Sequence, residues 1–359
     1  MLIHRTIFKE LLKNLAVIIF SLSVILFMEK FVRLTRLFMG KGADLGDIAK
    51  IFLYLQPSIL LLSVPMAILI TSFLTYGRMA TDSETIVLKA SGFSFIGISK
   101  AAITLSFICF SFLLVVSLYL LPRSMYSFKH TLHETIVKKA SMTLEAGTFS
   151  DVFKGTVIFI KDIVARDEFR GIFIYSKTDS PVDSPLVIVA EKGTVSSNPS
   201  EGLINLSMKN GLIHSFKEGS SSEISFSEYD FVLTSGVESI KEMKPEEIKT
   251  TDLWNGRKGK VSWSIELNRR FAMPFACLIF GILGPALSSK TGKIGRLGGF
   301  SFSLAILILY YILLIMGEGL AESGKLSSFL GVWTPNMFFG IIACIFFYFA
   351  YKDKPLKVF

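Results

Sequence analysis

The sequence has little charge. Asp, Glu, Lys and Arg make up only 19% of its 359 residues, whereas 51% are hydrophobic. Soluble domains carry about a quarter charged residues, so the composition argues against a water-soluble protein. The charge is also unevenly distributed, because long stretches contain no Asp, Glu, Lys or Arg. These stretches are Asn14–Met28, Ile51–Gly77, Ala101–Pro122, Phe271–Ser289, Leu297–Gly317 and Leu326–Tyr351.

Most of these stretches reach the roughly 19 residues that an α-helix needs to cross a bilayer. The first is shorter, but Leu11, Leu12 and the segment Phe31–Phe38 extend it at both ends. We therefore predict six transmembrane helices. Buried helices of a soluble protein are the alternative, and so many such stretches in one chain argue against it.

Residues that carry chemistry are also scarce. The cysteines all lie in apolar stretches, so they predict neither a disulfide framework nor a metal site. His130, His133 and Glu134 have a spacing that could hold a metal, but an isolated histidine pair is more often plain polar surface. No Gly-Lys pair has the spacing of a phosphate-binding loop, and no cofactor is expected. Because the apolar stretches contain no acidic residue, the energy for any uphill transport is expected from a partner.

Basic residues predict the orientation in the membrane. With the N-terminus inside, the short segments on the cytoplasmic side hold more Lys and Arg than those on the outer side. The positive-inside rule therefore predicts that both termini are cytoplasmic. The expected organisation is three helices in residues 1–122, a water-facing domain with its connectors in 123–262, and three helices in 263–359.

The middle segment has the pattern of β-strands. It contains short runs that are rich in Ile, Val and Phe, and turn residues separate them at Asn198-Pro199, Asn210-Gly211 and Gly219–Ser222. Many short strands with frequent turns predict an all-β sandwich or jelly roll. The predicted strands are Thr156–Lys161, Gly171–Tyr175, Pro185–Ala190, Leu203–Met208, Leu212–Phe216 and Glu223–Leu233. A helix is expected over Lys129–Ser141, and a polar connector over Lys241–Trp254.

A short helix is predicted in the cytoplasmic loop after the second span. Thr81-x-x-Glu84 has the spacing of a capping box, and Gly92 is a plausible stop, which leaves a helix of about ten residues near positions 81–91. Such a helix could dock into a groove of another protein. A surface helix without a partner is the alternative.

A cationic stripe lies at the outer end of the first span. Lys30, Arg33 and Arg36 recur every three residues, so on a helix they share one face. One interpretation is that these side chains only anchor the helix at the membrane surface. The other is that they bind an anionic lipid headgroup, whose phosphate suits the paired donors of arginine.

Four segments, in the right order, resemble the LptF/LptG permeases, the membrane part of the lipopolysaccharide-export ABC transporter. The similarity covers nearly the whole chain. Lys30-x-x-Arg33 and Thr251-Asp-Leu-Trp254 look more like the LptF branch of this family than the LptG branch. The four segments are Arg78–Gly92, Glu266–Cys277, Pro285–Phe300 and Trp333–Asn336.

The resemblance implies six transmembrane helices in the bacterial inner membrane and an inserted periplasmic jelly-roll-like domain. It implies a partner permease like LptG, a dimer of an ATPase like LptB, and a single-span protein like LptC. Lipopolysaccharide would enter from the outer leaflet and be expelled toward a periplasmic bridge. ATP would be hydrolysed in the partner, so the chain itself is not expected to be an enzyme, and no nucleic acid partner is expected.

The resemblance and the residues together give two site hypotheses. Lys30, Arg33 and Arg36 are expected to bind phosphates of the substrate. Asp82, Ser83 and Glu84 are expected to couple the chain to the ATPase. The alternatives are a membrane-anchored periplasmic sensor, which would usually have a larger cytoplasmic part, and a permease for another anionic lipid or lipoprotein. An enzyme of envelope lipids is a weaker alternative, since no catalytic set is found.

Overall fold

Along the described chain, one set of helices precedes an inserted sheet and a second set follows it. A computed structural model describes residues 2–38, 45–139, 146–153, 155–165, 168–177, 186–198, 203–217, 220–234, 243–257, 259–291 and 295–352. Before the sheet come α1 (Leu2–Phe38), α2 (Leu45–Thr81), α3 (Glu84–Ala90), α4 (Phe95–Val115), a π-helical turn (Val116–Leu120) and α5 (Leu121–Lys139). After it come a 3₁₀ turn (Pro245–Glu247), α6 (Thr250–Gly256), α7 (Val261–Thr291), α8 (Gly295–Glu322) and α9 (Ser328–Tyr351).

Six helical segments of the described chain are long and apolar enough to cross a membrane. Each contains nearly all of one charge-free stretch of the sequence, so the prediction of six spans is confirmed. The third runs without a break through α4, the π-helical turn and the start of α5. The segments are Ile3–Val32, Ala49–Thr81, Phe95–Leu132, Val261–Ser289, Gly298–Glu322 and Ser328–Tyr351.

The chain divides into two compact units. The first, the helical unit, comprises Met1–Lys30, Leu55–Met125 and Lys244–Phe359. The second, the β unit, comprises Phe31–Tyr54 and Tyr126–Met243.

Small residues bring the helices of the helical unit close together. A Cβ atom added at Gly281 of α7 would lie 1.8 Å from the Ser106 hydroxyl of α4. One added at Gly317 of α8 would lie 2.0 Å from the carbonyl oxygen of Gly331 in α9. Membrane helices use such positions because backbone contact replaces the missing hydrophobic drive between helices.

Asn336 adds a polar link between α9 and its neighbours. Its side-chain amide donates to the carbonyl of Ala272 in α7 at 2.8 Å, and its carbonyl oxygen accepts from the Tyr310 hydroxyl of α8 at 2.9 Å. The residue is buried, so both halves of its amide are satisfied inside the protein. This bonding explains why a polar residue is accommodated inside the sixth span.

The inserted segment forms a six-stranded antiparallel sheet in which each strand pairs with the next. This confirms the predicted β domain between two sets of membrane helices. Apolar side chains from β2 to β6 pack into one core, with Ile174, Leu206 and Met208 fully buried. The strands are β1 (Phe149–Phe153), β2 (Thr156–Ala165), β3 (Glu168–Ser176), β4 (Leu186–Asn198), β5 (Leu203–Lys217) and β6 (Ser220–Thr234).

A crease crosses five of the strands. In each pair from β2–β3 to β5–β6 one rung of the register is skipped, and these skipped rungs line up; β2 has a further irregularity between Ile163 and Ala165. Across this line the consecutive inward positions of a strand are three residues apart rather than two, as at Phe169 and Ile172 or at Phe226 and Tyr229. The crease consists of Lys161, Gly171, Glu191, Asn210 and Ser227.

The crease corrects one sequence expectation. Asn210-Gly211 is not a turn between two strands, because β5 runs unbroken from Leu203 to Lys217 and joins the two predicted strands. Asn210 nevertheless has a left-handed backbone with φ 55°, as a turn residue would. Asn-Gly therefore determines the local backbone conformation, as a turn sequence would. The chain nevertheless continues as one strand, because β5 pairs with β4 and β6 on both sides of this position. Of the other expected boundaries, Pro185, Pro199 and Gly219 lie outside the described residues. Ser220–Ser222, expected in a turn, belong to β6 and pair with the end of β5.

Candidate functional site

Arg78 organises the loop between the second and third spans. Its guanidinium binds both carboxylate oxygens of Glu10 in α1, at 2.9 and 2.7 Å. The same group reaches Glu84 at 2.7 Å and Asp82 at 3.2 Å. Because two parallel N–H···O bonds fix the guanidinium plane, Arg78 holds α1, the end of α2 and the start of α3 in one arrangement.

The helix α3 begins differently from the prediction. It spans seven residues, Glu84–Ala90, rather than about ten. The predicted capping box does not form, because the Thr81 hydroxyl donates to the carbonyl of Gly77 at 2.9 Å and the carboxylate of Glu84 binds Arg78. Ser83 takes the N-cap position in a left-handed conformation with φ 59° and makes no side-chain cap.

The end of α3 agrees with the sequence. Gly92 has φ 89°, and its amide donates to the carbonyl of Lys89 at 3.0 Å. The next amide, of Phe93, donates to Leu88 at 3.1 Å. Left-handed glycine just after a helix is the usual C-terminal stop, so the predicted stop at Gly92 is confirmed.

No residue of α3 is buried within this chain. Two large apolar side chains of the helix point outward, with Ile86 65% and Val87 62% exposed. Phe93 and Ile96, just after it, are also exposed. Exposed apolar residues on a short helix that buries none of its side chains in its own chain are typical of a surface that another protein covers.

The cationic stripe lies on the C-terminal part of α1. Lys30 is half-buried, and its helix continues to Phe38. The backbone of Arg33 and Arg36 belongs to this helix, whereas their side chains lie outside the described residues. The helical spacing of the three positions is thus observed, and the direction of the two arginine side chains stays a prediction.

A buried charge cluster was not predicted as a site. Arg270 of α7 is fully buried and binds the Glu266 carboxylate at 3.1 Å and the Thr250 hydroxyl at 2.8 Å. It also donates to the carbonyls of Pro245 and Glu246, both at 3.2 Å. One side chain therefore ties α7 to the 3₁₀ turn and to α6.

Arg269 extends the cluster to α8. Its guanidinium binds both carboxylate oxygens of Glu318, at 3.0 and 2.9 Å. Glu246 and Glu266 lie 3.7 Å from the same side chain. A cavity of about 150 Å³ borders Arg269 and Glu318. The sequence signal was the run of charges from Glu266 to Arg270, which stands inside an apolar helix with i,i+3 and i,i+4 spacing.

In the part of the chain that the structure describes, no three His, Cys, Asp or Glu side chains converge in a group that could bind a metal ion. His130 and His133 both lie on α5, as the spacing suggested. The side chains of His133 and Glu134 lie outside the described residues.

Comparison with known proteins gives a match over almost the whole chain. The family model described as "Lipopolysaccharide export system permease LptF/LptG" matches residues 5–349. The chain is 23% identical over 357 residues to the "Lipopolysaccharide export system permease protein LptF" of Escherichia coli (strain K12), covering 96% of this chain and 94% of that protein. The protein of the same name from Shigella flexneri gives the same values. The "Uncharacterized protein RP871" of Rickettsia prowazekii (strain Madrid E) is 25% identical over 196 residues, 54% of each chain.

Proposed function

Because the chain belongs to the LptF/LptG family of lipopolysaccharide export permeases, we propose that it extracts lipopolysaccharide from the inner membrane and passes it to a periplasmic bridge. The family consists of transporter permeases and not of enzymes. The observation that carries the proposal is a match over residues 5–349 on a chain that has six spans and one inserted sheet. A second permease like LptG would complete the path, with a dimeric ATPase like LptB and a single-span protein like LptC.

The first test is purification of the tagged chain from its native membrane, followed by identification of the bound proteins and lipids by mass spectrometry. An LptB-like ATPase, a second permease and lipopolysaccharide are the expected companions. A preparation without ATPase or lipopolysaccharide, under conditions that preserve other ABC transporters, would contradict the proposal.

The coupling to the ATPase is assigned to α3 and its preceding turn. Glu84, Asp82 and the backbone of Ser83 would meet the ATPase, with Ile86 and Val87 as the apolar part of the contact. Arg78 supports this assignment, because it holds Glu84 at 2.7 Å and is itself fixed by Glu10. The helix would thus be attached rigidly enough to transmit a movement of the ATPase to α1 and α2.

Two charge variants test this coupling. Glu84→Lys repels Arg78 and reverses the charge of the contact, so loss of the co-purified ATPase is expected. Glu168→Lys reverses an exposed carboxylate of β3, outside α3 and its preceding turn, and therefore serves as the matched control, with the ATPase retained. Normal recovery of the ATPase with Glu84→Lys would show that the contact lies elsewhere.

The substrate contact is assigned to Lys30, Arg33 and Arg36. Three cations along one helix face match the phosphates of the lipopolysaccharide headgroup, which Arg binds with paired hydrogen bonds. The double variant Lys30→Glu/Arg33→Glu is expected to lose most photo-crosslinking to lipopolysaccharide. Lys9→Glu, at the other end of α1, is the control. If the double variant crosslinks to lipopolysaccharide as well as Lys9→Glu does, the stripe does not bind the substrate.

The orientation is proposed with the termini in the cytoplasm and residues 123–262 in the periplasm. Among the described strands, β1 and β6 form the sheet edges, and the fifteen-residue β6 is the better edge for adding a partner strand. In spheroplasts, a membrane-impermeant maleimide should label Ser222→Cys in β6 and not Ser91→Cys after α3. The opposite labelling would reverse the orientation.

A further inference from the structure

An apolar groove lies in the helical unit where the third span continues into its π-helical turn. It has a volume of about 360 Å³. Leu118 and Tyr119 of the π-helical turn form one wall, and Phe271 of α7 and Trp254 of α6 form the other. Thr251 and Asn255 stand at its rim. The groove is distinct from the cationic stripe and from α3.

The groove is held open by buried contacts and does not need a ligand to form. Leu253 is fully buried and anchors α6, while the Thr250 hydroxyl donates to the carbonyl of Leu118 at 2.7 Å. Thr250 in turn accepts from Arg270. The hydroxyl of Ser117 donates to the carbonyl of Arg270 at 2.9 Å. Both walls are therefore fixed to α7.

The surroundings of the groove are those of a membrane surface. On the third span, Val115, Tyr119 and Leu120 expose large apolar side chains. Trp254 is 55% exposed, and Trp263 lies at the start of the fourth span. Tryptophan and tyrosine concentrate at the level of lipid headgroups, with their rings on the apolar side. The groove thus opens at the depth where an acyl chain meets its headgroup.

One cation lies beside the groove, against a residue that lines it. The guanidinium carbon of Arg257 lies 3.9 Å from the ring centre of Trp254. Among the described residues no carboxylate is paired with Arg257, so its donors remain open to an anion. The nearest acid of α6 is Asp252, which lies two positions from Trp254 and therefore on another face of the helix, and it does not line the groove.

We propose that this groove binds one glycerophospholipid with an anionic headgroup. An acyl chain would lie between Tyr119 and Phe271, and the phosphate would bind Arg257. Thr251 and Asn255 would bond the glycerol region. The role of such a lipid would be to seal the junction between α6 and the third span. The inference needs only the membrane location of the chain and does not rest on lipopolysaccharide export.

Tryptophan fluorescence can test the site, since the chain has only three tryptophans. The double variant Trp263→Phe/Trp333→Phe leaves Trp254 as the single reporter in the purified full chain. In nanodiscs, phosphatidylglycerol with brominated chains quenches a tryptophan that its acyl chain touches, and brominated phosphatidylcholine tests for the headgroup. Half-maximal quenching is expected at a roughly threefold lower mole fraction of the anionic lipid, the effect of one partly exposed ion pair.

Two variants in this background assign the effect to its residues. Arg257→Gln should make the two lipids equal, and Arg257→Lys should keep part of the preference, which also guards against a folding defect. Lys260→Gln is the matched control, because in the unsubstituted chain Lys260 stands 5.5 Å from the ring centre of Trp263 and not over a residue that lines the groove. Equal quenching by both lipids before any substitution would overturn the proposal. Displacement of the quenching lipid by lipopolysaccharide alone would assign the groove to the transported substrate instead, and would likewise overturn it.

Discussion

Removal of the Arg270 charge should substantially lower the free energy of unfolding of the helical unit. Arg270→Met keeps most of the side-chain volume and removes every donor. Glu266, which is only 4% exposed, would then lose its closest partner at 3.1 Å. Breaking a buried ion pair in this way costs about 3–5 kcal/mol.

The structure places the expected value in the lower part of that range. Arg269 remains 3.7 Å from Glu266 and compensates part of its charge. On the other side, Thr250 and the carbonyls of Pro245 and Glu246 also lose a donor. We therefore expect the free energy of unfolding to fall by about 3–4 kcal/mol.

Reversible unfolding in mixed micelles of dodecyl maltoside and SDS, followed by circular dichroism, measures this loss. The double variant Arg270→Met/Glu266→Leu removes both charges together and should recover most of it, because no unpaired buried charge remains. A loss below about 1 kcal/mol in the single variant would refute the reasoning. So would a double variant that is no more stable than the single one.

Three further predictions concern backbone geometry. Gly317→Ala should destabilise the α8–α9 pair by about 2 kcal/mol in the same titration, whereas Gly319→Ala, with no neighbour within 4 Å, should change it by less than about 0.5 kcal/mol. Ser83→Gly should stabilise the chain by up to about 1 kcal/mol and retain the ATPase, because φ at this position is 59°; loss of the ATPase would give the hydroxyl a role. Gly211→Ala would bring a Cβ atom within 2.4 Å of a β4 carbonyl, so faster proteolysis of the β unit in the full chain is expected.

The spans could be predicted from the sequence because a helix that crosses a bilayer must be apolar over its whole crossing length. The core of a soluble protein does not require such long apolar helices. The six charge-free stretches and the six helical segments agree for this reason. The β unit was predicted from alternation, but its first strand, Phe149–Phe153, was missed. Five residues after a helix are too few to show a period.

The turn before α3 shows where sequence rules that use only neighbouring residues fail. Thr81 and Glu84 have the spacing of a capping box, but the Glu84 carboxylate gains a charged hydrogen bond from Arg78 instead. Arg78 is placed there by Glu10, 68 positions away along the chain. A contact of such sequence separation leaves no local pattern, so neither the true N-cap at Ser83 nor the Arg78 centre could be predicted from nearby residues.

The burial of the Arg270 cluster could not be predicted from the sequence for a related reason. In the sequence, Glu266, Arg269 and Arg270 stand out only within a segment that resembles the start of a helix in the LptF/LptG family. Their burial depends on the 3₁₀ turn and α6, which cover them from a segment that the sequence described only as a polar connector. Charges at a helix end are usually solvated, and only the covering segment changes that expectation.

The crease in the sheet constrains the lengths of five strands of the β unit together. Each of five strands carries one residue on the same line that breaks strict alternation, so the pairing register is the same on both sides of the crease. Deleting Asn210 alone would leave β5 one residue shorter than both neighbours and would turn a shared change of face into two mismatches. Deleting the whole row would restore plain alternation and remove the change of face. The change of face is therefore encoded jointly by five strands, and a change of length in any one of them requires matching changes in the others.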